Sequence, residues 1–222
     1  VPLAGYVQRW GRDAIKVREP LTARCLYIND GSTAVLLVST DLWAITPELR
    51  ERVLELAPKE VPPECIILTA ANNHSAQGGM ASSLLGRLYQ GRWLPEAVES
   101  TANGIAAAMN AAIESRRRAA IGYATADGED LVTSVLGEDG PLETQVGVLR
   151  VEDHDGAAIA VLCSFPAAPA TVDIDGSHML TIAQDFPGAY YSKLEELAGN
   201  GAVAMFACGA AAGQACAPIW RK

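Results

Sequence analysis

Apolar positions early in the chain fall into two short runs on either side of a polar turn. Ala23-Arg-Cys-Leu-Tyr-Ile28 leads into Asn29-Asp-Gly31, and Ala34-Val-Leu-Leu-Val38 follows, ending at Ser39-Thr-Asp41. Strand-forming residues flanking an Asx-Gly turn predict a β-hairpin, because Gly tolerates the positive φ a tight turn needs. About 124 residues further on the same order returns. Val146-Gly-Val-Leu-Arg-Val151 leads to Asp153-His-Asp-Gly156, and Ala158-Ile-Ala-Val-Leu-Cys163 ends at Ser164-Phe165.

Each hairpin is followed by a helical pattern and a further apolar strand. Between Pro47 and Leu56, Leu49, Val53 and Leu56 form one stripe with charges elsewhere, and Cys65-Ile-Ile-Leu-Thr69 comes next. The counterpart runs from Pro187 through Tyr190, Leu194 and Leu197 to Ala202-Val-Ala-Met-Phe-Ala207. This predicts an α/β fold of two related β-hairpin–helix–strand halves, about 20–80 and 145–218, forming a mixed sheet layered with helices. A single domain over 1–222 is expected. Between the halves, Pro95 opens a long helix over 95–118 with an alanine-rich stripe holding Ile105, Met109 and Ile113. Arg116 to Arg118 suit the negative end of its dipole. The Ala-rich stretch 95–115 suits packing inside the domain or against a second copy, so homo-oligomer formation stays open. The stretch 128–140 reads as a loop or hairpin link.

Each closing strand runs into a loop of small polar residues: Ala70-Ala-Asn-Asn-His-Ser-Ala-Gln-Gly-Gly79, and Gly209-Ala-Ala-Ala-Gly-Gln-Ala-Cys-Ala-Pro218. Ligands of α/β sheets sit beyond the carboxyl ends of such strands, so these loops are the expected site.

Charge and cysteine content narrow the classes. The 222 residues carry 17 Lys+Arg against 26 Asp+Glu, a net charge of -9, and the one basic run is Arg116 to Arg118. That excludes a nucleic-acid partner, since phosphate binding needs clustered cations. Five cysteines, Cys25, Cys65, Cys163, Cys208 and Cys216, form no C-x-x-C pair, which points to reduced thiols and a cytoplasmic setting. No secretory leader pattern opens the chain. Val1 stands where Met would begin a complete protein, leaving open that the chain is part of a longer one. The uncharged run 197–220 is broken by Gly, Asn, Gln and Pro, and reads as a buried strand plus loop rather than a membrane span.

In order and spacing, the motifs resemble the neutral/alkaline (non-lysosomal) ceramidase family. The matching pieces are Pro2-Leu-Ala-Gly-Tyr6 with Arg9, the Asp30-Gly31 hairpin ending Val38-Ser-Thr-Asp-Leu42, Asn73-His-Ser75, Asp139-Gly-Pro141 before Val146-Gly-Val-Leu-Arg150, and Gln184-Asp-Phe-Pro-Gly188. The resemblance spans nearly the whole chain. It implies the ceramidase catalytic-domain fold and zinc-dependent cleavage of an N-acyl amide. It also implies that two zinc-ligating histidines correspond here to Asn72 and Ala168, and that the remaining Glu and Tyr ligands would lie downstream of Lys222. The expectation is therefore a divergent member with its zinc ligands replaced, no cofactor and no metal residues. His154 lies in a solvated turn, and a grouping of His74, His178 and Asp185 has no recognisable ligand spacing.

Without a metal, the strand-end loops must supply the chemistry. The catalytic candidates are His74, as general acid or base because imidazole titrates near neutrality; Cys216, as an acyl-accepting nucleophile; and Asp185, as an orienting carboxylate or helix cap. The substrate-binding candidates are Asn72, Asn73, Ser75, Gln77, Asp41, Gly209 and Gln214, among them carbonyl-binding amides. The expected function is metal-independent acyl transfer or hydrolysis at the amide, ester or thioester carbonyl of a small substrate. The alternatives are a catalytically degenerate binding or subunit-interaction module, and a fragment whose site is completed by residues outside the chain.

Overall fold

A computed structural model of the protein describes residues 1–137, 139–172 and 180–217. His178 lies outside the described residues. In chain order the strands and helices are β1 (Lys16–Val17), β2 (Ala23–Asn29), β3 (Ala34–Thr40), α1 (Pro47–Leu56), β4 (Ile66–Ala70), α2 (Leu84–Gln90), α3 (Pro95–Glu114), β5 (Ala120–Asp127), β6 (Val132–Ser134), β7 (Gln145–Glu152), β8 (Ala158–Phe165), β9 (Thr181–Ile182), α4 (Phe186–Ala198), β10 (Val203–Cys208) and β11 (Gln214–Cys216). The chain divides into two compact units, Val1–Arg116 with Val172–Gln184, and Arg117–Thr171 with Asp185–Lys222.

Both expected halves form with the same topology. In the first unit β2 pairs antiparallel with β3, and β3 pairs parallel with β4. In the second, β7 pairs antiparallel with β8, and β8 pairs parallel with β10. A parallel neighbour needs a crossover, and each half supplies a helix for it: α1 between β3 and β4, α4 between β8 and β10.

Burial in the first unit follows the strand period. Register places Cys25 opposite Val38 and Val38 beside Leu68, with Tyr27, Leu36 and Ile66 the next such row. These side chains share one face of the sheet and pack with α1 and α3 in one apolar cluster. Helix α1 buries Leu49 and Val53 in it, capped by Thr46, whose hydroxyl accepts from Leu49 N (3.2 Å) and donates to Met80 O (2.7 Å). Helix α3 contributes Val98, Ala102, Ile105, Ala106, Met109 and Ile113, all buried, so its small-residue stripe packs inside the unit. It ends at Glu114, and Arg116 beyond it donates to Ile113 O at 2.9 Å.

The second unit's sheet has the order β10-β8-β7-β5, and β5 is exposed at every residue. Phe186 of α4 sits edge-on between Phe165 (5.9 Å) and Phe206 (5.3 Å). Residues 128–140 do more than link: β6 within them pairs antiparallel with β11, so the second small-residue loop is partly strand. Cys65, expected in a strand, ends a short 3-10 turn before β4. No helix among the described residues is long and apolar enough to cross a membrane.

Candidate functional site

The loop after β4 is built around Asn72 and Asn73. Asn72 adopts φ 59°, a left-handed conformation that Asn tolerates better than most residues, and it turns the chain out of the strand. Asn73, fully buried, then fixes the turn. Its Nδ2 donates to Asp41 O (3.1 Å) and Ala183 O (2.8 Å), and its Oδ1 accepts from Ser75 N (2.8 Å). Ser75 is buried, and its carbonyl accepts from Ala183 N. Asp41, 1% exposed, closes the same network: its Oδ2 accepts from Thr22 N (2.7 Å), Thr22 Oγ1 (2.7 Å) and Gln184 Nε2 (3.0 Å). Asp41 and Asn73 are thus brought together, as scaffolding of the loop.

His74 is held by the N-terminal segment. Its carbonyl accepts from Arg9 Nη1 at 2.5 Å, and the same nitrogen donates to Ala4 O. Arg9 is fully buried, with its guanidinium 4.8 Å from the Tyr6 ring centroid. The Tyr6 ring in turn lies 4.6 Å from the imidazole, tilted by 54°. Gly5 completes the clasp at φ 102°: a Cβ there would stand 3.0 Å from His74 Nδ1 and 3.1 Å from its Cα. Backbone bonds lace the two segments together, Ala4 N to Ala76 O (2.9 Å) and Gly78 N to Pro2 O (2.7 Å). Gly78 itself is required, since a Cβ would sit 2.3 Å from Gln90 O. Gly5, Tyr6 and Arg9 were legible in the sequence as a motif, but nothing in residue type or spacing announces that they surround His74, with Arg9 bonding its carbonyl across 65 positions.

Gln77 lies in the same loop and donates from Nε2 to Thr101 Oγ1 of α3 at 2.7 Å. It lines a cleft of about 370 Å³ together with residues of β2, β3 and α3; His74 is not among the residues lining it.

The remaining candidates belong to the second unit. Asp185 caps α4 as expected: Oδ1 accepts from Phe186 N (2.7 Å) and Thr171 Oγ1 (2.6 Å), and Oδ2 from Thr171 N (2.8 Å). Gln214, on β11, accepts from Glu143 N (2.9 Å) and donates to Glu143 O (2.9 Å) and Pro166 O. Gly209 donates its N–H to Phe165 O at 2.9 Å. Cys216 is partly buried; burial first, then the Asp185 carboxylate, pushes its thiol up to about 11. It is therefore a protonated thiol at neutral pH.

Among the described residues, one group of three His, Cys, Asp or Glu side chains brings its ligand atoms within 4.8 Å of one another: Asp153, His154 and Asp155 in the β7–β8 turn. His154 and Asp155 are exposed, and Asp153 Oδ1 accepts from Asp155 N and Ala157 N as an ordinary Asx turn does.

Fold and loops together define a mixed α/β protein of two hairpin–helix–strand halves with polar loops after their closing strands. No protein-family model and no curated protein matches the chain. Its fold is that of the ceramidases. A neutral ceramidase from Pseudomonas aeruginosa superposes with a TM-score of 0.84 at 20% identity, over 100% of this chain and 38% of that one. A ceramidase complexed with C2 gives 0.84 at 19% identity, over 97% of this chain and 36% of that one. The chain thus spans well under half the length of these structures.

Proposed function

We propose that the protein is a metal-independent enzyme of the hydrolase or acyl-transfer type, acting on the amide, ester or thioester carbonyl of a small substrate. The observation that carries this is a histidine in the loop after β4 on a ceramidase fold, its backbone carbonyl held by Arg9, its imidazole against the Tyr6 ring, and Gly5 leaving room beside it. In this reading His74 takes a proton from the attacking water as it adds to the carbonyl carbon, then returns it to the departing nitrogen, oxygen or sulfur. Asn72 contributes its amide group to the substrate's polar atoms, and Ser75 shapes the loop, while Gln77, bonded to Thr101, belongs to the cleft that His74 does not line. Asp41, Asn73, Asp185, Gly209 and Gln214 hold the loops in place. Cys216, a thiol at neutral pH, is secondary to His74.

The zinc that the ceramidase resemblance implies does not fit the residues at the matching positions. Asn72 offers a neutral amide and Ala168 a methyl group, where zinc takes imidazole, thiolate or carboxylate. The cytoplasmic setting suggested by the cysteines belongs to the same proposal.

His74→Ala should lower turnover of an acyl substrate to which the wild type responds by about 100-fold or more, with the fold intact by circular dichroism. Unchanged turnover would remove the reading. A second reading, a catalytically degenerate binding module, is favoured by the raised Cys216 thiol and by carboxylates engaged in scaffolding. It expects no turnover in the wild type.

A further inference from the structure

The cleft beside Gln77 has a composition that neither catalysis nor folding explains. At about 370 Å³ it is at the small end of small-molecule sites. Its floor is Thr40, Leu42, Ile105 and Ile182, all buried, and one wall is Ser100, Thr101 and Gly104 of α3. No lining side chain is ionisable. At the lining residue Thr22, the Asp41 carboxylate and the Arg24 guanidinium both meet Oγ1, at 2.7 and 3.3 Å, opposite charges that offset one another. A charged ligand entering here would give up water with no counter-charge in the lining, which is costly.

The polar groups come in complementary kinds. Gln77 Nε2 donates to Thr101 Oγ1, which leaves the Thr101 O–H as a donor and the Gln77 carbonyl oxygen as an acceptor on two residues that line the cleft. Thr40 Oγ1 donates to Thr69 O and keeps acceptor capacity. An apolar floor with a mixed donor and acceptor edge matches an alkyl chain ending in a neutral polar group.

Gly104 adds an independent sign. It stands in the interior of α3, where glycine is disfavoured relative to every residue but proline. Nothing steric demands it, because a Cβ there would meet nothing within 4 Å. Gly104 is exposed where it lines the cleft, so the missing side chain leaves that edge of the cleft open.

We propose that this cleft binds an uncharged aliphatic molecule ending in a hydroxyl or carboxamide and excludes charged molecules of equal length. The proposal does not rest on the acyl-transfer reading. Titration calorimetry of the full chain at pH 7 with hexan-1-ol, hexanamide, hexanoate and hexylammonium tests it. The neutral probes should bind at least tenfold more tightly than the ionised ones. Gly104→Leu should weaken hexanamide at least tenfold, and Thr101→Val, of similar shape without the hydroxyl, severalfold. His74→Ala should bind hexanamide like the wild type, so lost turnover and lost binding are told apart. Absence of hexanamide binding, equal affinity for hexanoate or hexylammonium, or hexanamide affinity unchanged in both Gly104→Leu and Thr101→Val would overturn it.

Discussion

Asp185 holds φ 60° and ψ −153°, a backbone region that is essentially glycine's. Its carboxylate keeps it there by accepting three hydrogen bonds, two from Thr171 and one from Phe186 N. Asp185→Ala loses those bonds and keeps the strain; Asp185→Gly loses them and relieves it. Urea denaturation should therefore find the glycine variant more stable than the alanine variant by about 1 kcal/mol or more, even against glycine's extra freedom when unfolded. Cys216 makes the second prediction at this scale. A thiol raised from 9.0 to about 11 favours the folded state below pH 9, and that contribution is lost as pH climbs toward 11. Iodoacetamide alkylation that is absent in Cys216→Ser should show a midpoint near pH 11, and at pH 7.5 should run about 100-fold slower than an exposed thiol. A midpoint near 8 would contradict it. The sequence could place Cys216 in a small-residue loop, but burial and the neighbouring carboxylate come from packing that no local pattern records.

Helices α1 and α3 were legible because each buries the stripe its period marks, Leu49 and Val53 in one and Ile105, Met109 and Ile113 in the other. Helix α4 was legible as an element, but the stripe expected from Tyr190, Leu194 and Leu197 is not its buried face: Pro187 and Tyr191 are buried and Leu197 is 71% exposed. Strand β5 buries no face: every residue of it is exposed, Ile121 and Tyr123 included, so its apolar positions mark no core contact. Strands β6 and β11 have three residues each and pair across about 80 positions, beyond any local signal. Helix α2 is short and carries Gly86 inside it, yet Ser83 caps it by accepting from Gly86 N. Caps are where element stability concentrates. Thr46→Ala, which removes both the α1 cap and the bond to Met80 O, should cost about 1–2 kcal/mol by chemical denaturation, while Thr46→Ser retains most of it. The clasp is an element of the same kind. Arg9→Met, which leaves the Ala4 and His74 carbonyls without their buried donor, should cost about 3 kcal/mol.

For the molecule as a whole, two hairpin–helix–strand halves reproduce a ceramidase fold at 20% identity, as expected where cores tolerate extensive apolar substitution so long as volume and patterning are kept. A shared fold does not by itself carry the chemistry, so the metal-independent reading proposed above, with His74 as acid and base, is decided by experiment. Turnover of an acyl substrate by protein dialysed exhaustively against a zinc chelator, measured before and after zinc is restored, decides between the two chemistries. The account predicts one unchanged rate in both states, lost only in His74→Ala. A rate that collapses on chelation and returns with zinc would contradict it.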